Sequence, residues 1–337
     1  MGKVLITGVA GFMGSHLADD FIKQGYRVSG IDNFVGGYEE NIPPHVEFHY
    51  ADLGNFDSIK DLFYDVDLVV HAACTAYEGL SVFSPALVTR NTSHITTTVL
   101  SASVRNHVKK FVYMSSMSRY GTQDTLPFTE EMIPKPQDPY GIAKYASELL
   151  VKNICTTHGM KYVIVVPHNI IGPRQKYDDP YRNVASIMIN RMLQGKPPII
   201  YGDGLQKRCF SFWEDVARPL LTTCVTDSVD GEVVNVGPDE EYITINELAE
   251  RLSSIMNFTQ KPIFLPERPQ EVRFANCSAD KARKLIGYKT QTSLNDGLRK
   301  LVEWIELKGA KPFNYHLPLE FITPLTPKTW SEKMMND

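Results

Sequence analysis

The chain has 337 residues, 43% of them hydrophobic, which is enough apolar material for one large domain or two closely joined ones. A net charge of −4 offers no basic face to nucleic acid or to an anionic membrane, and no apolar run approaches the length of a bilayer span. Five scattered cysteines, none in a C-x-x-C pair, and a start that enters a strand-like run without a signal-peptide pattern point to a cytoplasmic protein with reduced thiols.

Lys3–Thr7 is a short apolar run stopped by Gly8, the pattern of a strand covered on both faces. From Gly11 to Gly25 the apolar residues Phe12, Leu17 and Phe21 fall at helical spacing. Strand-like runs follow at Tyr26–Asp32, Val46–Tyr50, Asp67–His71, Lys110–Ser115 and Tyr162–Pro167, with helical stretches between most of them, including Pro85–Asn106 and Pro139–His158. Strands alternating with helices predict an α/β fold with a Rossmann-type, doubly wound parallel sheet. After about residue 170, Gly172-Pro-Arg174, Asp179-Pro180, Pro197-Pro198 and Gly202-Asp-Gly204 break the chain into short elements, and Val233–Val236 reads as a strand returning to the sheet. The expected organisation is a dinucleotide-binding domain over residues 1–170 plus about 214–238, and a smaller C-terminal substrate lobe over 171–213 and 239–310. Residues 311–337, rich in Pro and aromatics, read as an extended tail packed on the surface.

Between the first strand and the first helix lies Gly8-Val-Ala-Gly11-Phe-Met-Gly14. Gly8 permits a tight turn, Gly11 lets backbone N–H groups approach a pyrophosphate, and Gly14 lets the helix pack closely on the strand. The spacing is G-x-x-G-x-x-G, and its position at a strand-to-helix junction makes it a dinucleotide site. Asp32 ends the second strand, 24 residues after Gly8. A carboxylate there accepts hydrogen bonds from ribose hydroxyls and repels a 2′-phosphate, so the expected cofactor is NAD rather than NADP. Asp52-Leu53, after the third strand, is placed to contact the adenine, although an exposed turn Asp fits equally well. His45 and His49 would share a strand face but have no further ligands around them, and no metal site is expected.

Ser115-Ser116-Met-Ser118-Arg-Tyr120-Gly121 follows a strand, and Tyr140-Gly-Ile-Ala-Lys144 opens a helix about 20 residues later. Tyr140 and Lys144, four apart, share one helix face. A phenol titrates near 10, and both a neighbouring ammonium and a positive nicotinamide ring would favour the phenolate and draw it towards working range. The Ser116 hydroxyl would orient a substrate hydroxyl. An isolated Y-x-x-x-K is more often a structural Tyr beside a solvated Lys; the glycine loop, Asp32 and the serine strand in register reverse that reading.

The chain resembles the extended short-chain dehydrogenase/reductase family, and within it the nucleotide-sugar epimerases and dehydratases. The resemblance runs from Lys3 to Trp304 and rests on Thr7-Gly8-x-x-Gly11-x-x-Gly14, His71-Ala-Ala73, Tyr113-x-Ser115-Ser116-x-x-x-Tyr120-Gly121 and Pro139-Tyr140-x-x-x-Lys144. It continues through Asn169-x-x-Gly172-Pro-Arg174-Gln175, Tyr201-Gly-Asp-Gly204, Asn235-Val-Gly237 and Arg268-Pro269. It implies Ser116, Tyr140 and Lys144 as the catalytic set. The cofactor set is Gly8, Gly11, Phe12, Met13, Gly14, Asp32, Asn33, Asp52, Leu53, Ala72, Ala73 and Asn91, with Tyr140 and Lys144. Nucleotide-sugar contacts map to Ser118, Asn169, Asn183, Tyr201, Arg208, Arg268 and Glu271, with Arg208 and Arg268 suited to fork around a diphosphate and Tyr201 to pack near a base.

The resemblance further implies hydride abstraction from a sugar carbon, usually C4, while Tyr140 takes the hydroxyl proton. A 4,6-dehydratase of the family carries Asp and Glu where this chain has Met117 and Ser118, and decarboxylases carry Glu at the latter position, so a 4-epimerase fits best. Ala275 stands where a bulky Tyr restricts the pocket in some members, leaving room for an N-acetyl group. A UDP-hexose or UDP-N-acetylhexosamine is therefore the expected substrate. Several positions depart from the pattern: Cys209, Val166, Arg119 and Tyr77-Glu78-Gly79, the last near the sugar. Glu78 is either a general base beside a ketone, giving epimerisation at C3 or C5 or an unusual dehydration, or a hydrogen-bonding partner for a sugar hydroxyl. A NAD-binding regulator with a vestigial site is a remote third reading. The family precedent of a four-helix bundle built from Pro85–Asn106 and Pro139–His158 makes a homodimer the expected assembly.

Overall fold

The computed structural model describes residues 2–337. Six strands are met in chain order: β1 (Lys3–Thr7), β2 (Arg27–Asp32), β3 (Glu47–Tyr50), β4 (Leu68–His71), β5 (Lys110–Met114) and β6 (Lys161–Pro167). With Val233–Val236 they form a seven-stranded sheet in the order Val233–Val236, β6, β5, β4, β1, β2, β3, every pair parallel. Each of these strands was legible in the sequence to within one residue at either end.

The strands are apolar without alternation because helices cover both faces. Val4, Ile6, Val70, Val112, Val163 and Val165 point to one side, where Leu17 and Phe21 of α1 (Phe12–Lys23) meet them. Leu5, Val69, Phe111 and Ile164 point to the other, against Val99, Leu100 and Val151. Each such side chain, fully buried, contributes about 1.5–3 kcal/mol. The order of connection reverses between β1 and β4, so a crevice opens above their carboxyl ends, at Thr7 and His71.

The Pro139–His158 helix is defined at both ends by its sequence. The Asp138 side chain accepts the Gly141 N–H at 3.0 Å, Pro139 takes the first helical position, and Gly159 closes the helix with φ +67°. The expected single helix over Pro85–Asn106 is instead built in three pieces: α-helical Pro85–Thr89, a wider π-helical turn at Arg90–His94, and α-helical Ile95–Arg105. A π turn inserts a residue that periodicity in a 3.6-residue pattern does not register.

The lobe has its own core, in which Met188 and Ile189, Leu248 and Leu252, and Leu298 and Leu301 meet from the helices Val184–Leu193, Ile245–Ile255 and Leu294–Lys308. Asp280–Ile286, expected within the lobe, packs on the sheet domain: Ala282 and Ile286 join the cluster of Val234 and Val236. The tail, expected as an extended strip packed on the surface, has no helix or strand over 311–327 and is held down by buried side chains. Phe313, Leu317, Trp330 and Met335 are buried, and Lys328–Ser331 forms a short helix. Bulky apolar side chains in a Pro-rich segment drive it onto the protein.

Candidate active site

A cavity of about 430 Å³ runs from the carboxyl ends of β1, β2 and β4 to the lobe, within the usual range for a small-molecule site. Its walls include every residue expected to touch cofactor or substrate, from the glycine loop and Asp32 through Ser116, Tyr140 and Lys144 to Arg208, Arg268 and Glu271.

At the cofactor end the loop after β1 is held by steric necessity. Gly8 has φ +75°, and a Cβ at Gly14 would lie 2.1 Å from the Gly8 carbonyl oxygen, so helix α1 can start this close to β1 only without a side chain there. Asp32 accepts the N–H of Ala10 at 2.9 Å on one carboxylate oxygen and that of Phe34 at 2.7 Å on the other, which ties the glycine loop to the end of β2. Burial raises its pKa, and these N–H groups work in the opposite direction. The open glycine cradle and the carboxylate at the second strand are the donor and acceptor set that a dinucleotide with free ribose hydroxyls requires. Asp52 lines the cavity but its side chain is engaged, receiving Arg90 at 2.6 Å and the Gly54 N–H at 2.8 Å. Asn91, on the π turn, donates to the Thr75 hydroxyl at 3.0 Å. Among the described residues no group of three His, Cys, Asp or Glu side chains could hold a metal.

The catalytic triad expected from sequence is brought together. Tyr140 and Lys144 are almost fully buried within the protein, at 6% and 2% exposure, and both line the cavity. Lys144 Nζ donates to the Met114 carbonyl at 2.7 Å and lies 5.8 Å from the Tyr140 ring centre. Ser116 Oγ donates to Ser118 Oγ at 3.2 Å, and its hydroxyl faces the phenol in a way that favours the ionised form. The expected fall in the phenol pKa is not met by the protein alone: burial pushes Tyr140 up, and Lys144 and Ser116 only offset that. A positively charged nicotinamide ring, with NAD bound, would favour the phenolate further. Behind the helix, His71 Nδ1 and Thr7 Oγ1 are 2.7 Å apart and His71 Nε2 is 3.0 Å from Thr96 Oγ1. Burial, with Lys144 nearby, lowers His71 to about 3, so it is a neutral strut between β1, β4 and the Ile95–Arg105 helix.

At the other end Arg268 gives Glu271 two hydrogen bonds, at 3.2 and 3.0 Å, and Arg208 lies 3.7 Å from the same carboxylate. Burial works against the Glu271 charge, but Arg268 and Arg208 outweigh it and hold its pKa down. Glu271 thus orients two guanidinium groups towards the cavity. Asn183 caps the Val184–Leu193 helix, accepting the Ala185 N–H at 3.2 Å, and Asn169 donates to the Cys209 carbonyl at 3.0 Å, so both amides are part-committed to structure. Glu78 opens a short helix, Glu78–Ser81, on the cavity wall. Burial first, then the Asp138 carboxylate, pushes it up to about 7, with Arg208 and Arg268 pulling the other way.

Arg182, on the cavity wall, escaped the sequence reading, and so did the partner of Tyr77. Arg182 lies over the Tyr77 ring at 5.6 Å and donates to the Ala76 carbonyl at 3.3 Å, and the Tyr77 hydroxyl donates to Asp179 at 2.5 Å. A cation beside Asn183 was the available signal for Arg182; nothing in the sequence pairs Tyr77 with a residue 102 positions away. Arg119 forms a buried ion pair at 3.0 Å with Glu148, a residue of the helix that carries Tyr140.

The fold, the cradle and the triad agree with the motif order in a single family, whose model matches residues 4–237. The chain belongs to the NAD dependent epimerase/dehydratase family. Its cofactor is NAD, and it is an NAD-dependent enzyme of the short-chain dehydrogenase/reductase type. It is 33% identical over 307 residues to a putative UDP-glucose 4-epimerase of Methanocaldococcus jannaschii, covering 90% of this chain and 98% of that one. The solved UDP-glucose 4-epimerase of Thermotoga maritima, with UDP-glucose, matches at a TM-score of 0.85 and 32% identity, covering 91% of this chain and 99% of that one. The UDP-glucuronic acid 4-epimerase of Bacillus cereus, with UDP-glucuronic acid and NAD, matches at 0.84 and 30%, with coverage of 91% and 99%. Among the described residues no helix is long and apolar enough to cross a membrane.

Proposed function

We propose that this family member interconverts the C4 epimers of a UDP-linked hexose or N-acetylhexosamine. The observation that carries the reading is the single cavity joining Ser116, Tyr140 and Lys144 at one end to Arg208 and Arg268 at the other. A nucleotide sugar laid along it presents a hydroxyl to the phenol and its diphosphate to the guanidinium pair. NAD, when bound, supplies a hydride acceptor that can return the hydride to the opposite face of the sugar. Tyr140 accepts the C4 hydroxyl proton and later gives it back, Ser116 holds that hydroxyl in line, and Lys144, anchored on the Met114 carbonyl, favours the phenolate. The small buried side chain of Ala275 on the cavity wall supports an N-acetylated sugar as well as a plain hexose. Ile142 and Leu149, seven residues apart on the outer face of the Pro139–His158 helix, are 53% and 50% exposed, which supports pairing of that helix in a homodimer.

Proton NMR in D2O with UDP-GlcNAc, UDP-glucose and UDP-glucuronate, without added NAD, tests the reading. A C4 epimer free of ring deuterium is the expected product; unchanged sugars in every case would sink it. The carboxyl of Glu78, raised to about 7 on the same wall, supports a second reading in which it exchanges a proton beside the keto sugar. Deuterium at C3 or C5 in the same spectra would select that reaction instead.

A further inference from the structure

The tail lies beyond Trp304, where the family resemblance ends, yet it folds onto the substrate half of the site. Thr329, fully buried, hydrogen-bonds the Tyr201 hydroxyl through its own Oγ1 at 2.5 Å. The Arg268 guanidinium stacks over the Tyr201 ring at 4.8 Å while holding Glu271 with two hydrogen bonds. Met335 reaches the cavity wall itself, in an apolar group with Ile199 and Phe313, and its carbonyl accepts Arg191 at 2.7 Å. Trp330 spans to the opposite side: its indole N–H donates to the Pro180 carbonyl at 3.1 Å, its ring packs against Phe83 and Tyr181, and a side chain at Gly79 would start 3.0 Å from it. The Tyr315 hydroxyl donates to the Thr329 carbonyl and accepts the Met335 N–H, tying these tail residues into one unit.

We infer that Thr329 is a positioning residue for nucleotide-diphosphate binding, acting through Tyr201 on Arg268. This rests on the nucleotide-sugar reading above. Thr329 holds the Tyr201 hydroxyl and so restrains the ring over which the Arg268 guanidinium is placed. Arg268 is thereby presented to the diphosphate already ordered, so the tail lowers the entropic cost of binding rather than adding a contact of its own. The tail also bridges the strand bearing Tyr201 to the turn bearing Glu78 and Gly79, the two walls between which the nucleotide sugar lies.

The test is calorimetric binding of UDP to the NAD-loaded full chain, to Thr329→Val, to Tyr201→Phe and to the double variant, with steady-state kinetics on the accepted sugar. Each single variant removes one hydroxyl from the same hydrogen bond, so each is expected to weaken UDP by roughly two- to tenfold and to raise KM, and Thr329→Val, which lies outside the cavity lining, should leave kcat within about twofold. The double variant should be no worse than either single one. A chain ending at Thr326, checked for NAD binding and a cooperative melt, should lose UDP affinity by roughly tenfold or more. UDP should also slow tryptic cleavage at the exposed Lys328 of the full chain. Variants that bind UDP as the full chain does, or a double variant whose losses add, would overturn the inference. Failure of the unaltered chain to bind UDP at all would instead overturn the nucleotide-sugar reading, and so keeps the two claims separable. If the shortened chain fails to fold, the two point variants decide.

Discussion

Lys144 is anchored to the backbone of β5 rather than to Tyr140: its Nζ donates to the Met114 carbonyl at 2.7 Å and lies 5.8 Å from the Tyr140 ring centre. The ammonium therefore stays in place when the phenolic oxygen is removed.

Tyr140→Phe should cut turnover by about 10²–10⁴-fold, the usual share of a proton-transfer group. NAD affinity and melting temperature should stay close to those of the unaltered chain, because the ring packing is kept. Turnover by NMR and NAD binding by calorimetry check this together, and a variant retaining a tenth of the activity would show that the proton leaves by another group.

Glu78 gives the chain a dependence on pH with a definite sign. Its folded pKa, about 7, lies above the ordinary carboxyl value of 4.5, so the folded chain holds this proton more tightly than the unfolded one. The stability it contributes is complete below 4.5 and is lost as pH rises through about 7. Glu78→Gln mimics the protonated form at every pH. The two proteins should melt together at about pH 4, below both values, and at pH 8 the variant should be more stable by on the order of 1–2 kcal/mol. Equal melting temperatures at pH 8 would show that Arg208 and Arg268 fully neutralise the carboxylate.

Arg119 and Glu148 are both withdrawn from solvent, with side-chain exposures of 3% and 0%, and Arg119 also lies over the Tyr120 and Tyr145 rings. Arg119→Met leaves an uncompensated carboxylate on the buried face of the helix that carries Tyr140. It should cost about 3–5 kcal/mol in urea unfolding, whereas the paired change Arg119→Met with Glu148→Leu should recover much of that loss. A single variant within 1 kcal/mol of the parent would mean that the pair opens to water.

Asp32→Ser removes the charge that disfavours a 2′-phosphate and weakens the ties to Ala10 and Phe34. NAD should bind about tenfold less tightly or worse, and the ratio of NADP to NAD affinity should rise by at least as much. Competition between the two cofactors in fluorescence titration measures that ratio directly.

Most of the sheet domain was written in apolar runs of four to seven residues that need no distant partner to be recognised, and Gly8, Gly14, Asp32, Tyr140 and Lys144 sit at fixed offsets from those runs. What local pattern did not carry was pairing across long separations. Glu148 reads as an ordinary helix acid until Arg119 and Ser115 are found beside it. Glu271 reads as a substrate contact, but it holds two arginines that are 3 and 63 residues away. Trp330 and Met335 are buried by surfaces that exist only once the lobe is assembled, so their anchoring of the Pro-rich tail was not legible. The upward pull of burial on Tyr140 was not legible for another reason: desolvation depends on the folded surroundings, and no spacing in the sequence reports it.

The carboxylate that caps the catalytic helix has a second attachment. One oxygen of Asp138 accepts the Gly141 N–H at 3.0 Å and lies 3.3 Å from the Ser81 hydroxyl, whose single hydrogen is shared with the Glu78 carbonyl at 2.6 Å. The loop that would be redesigned to change the sugar is therefore bolted to the start of the segment that carries Tyr140. Libraries that randomise 77–81 for new substrates should retain Ser81, since losing that bolt trades selectivity for a misaligned phenol.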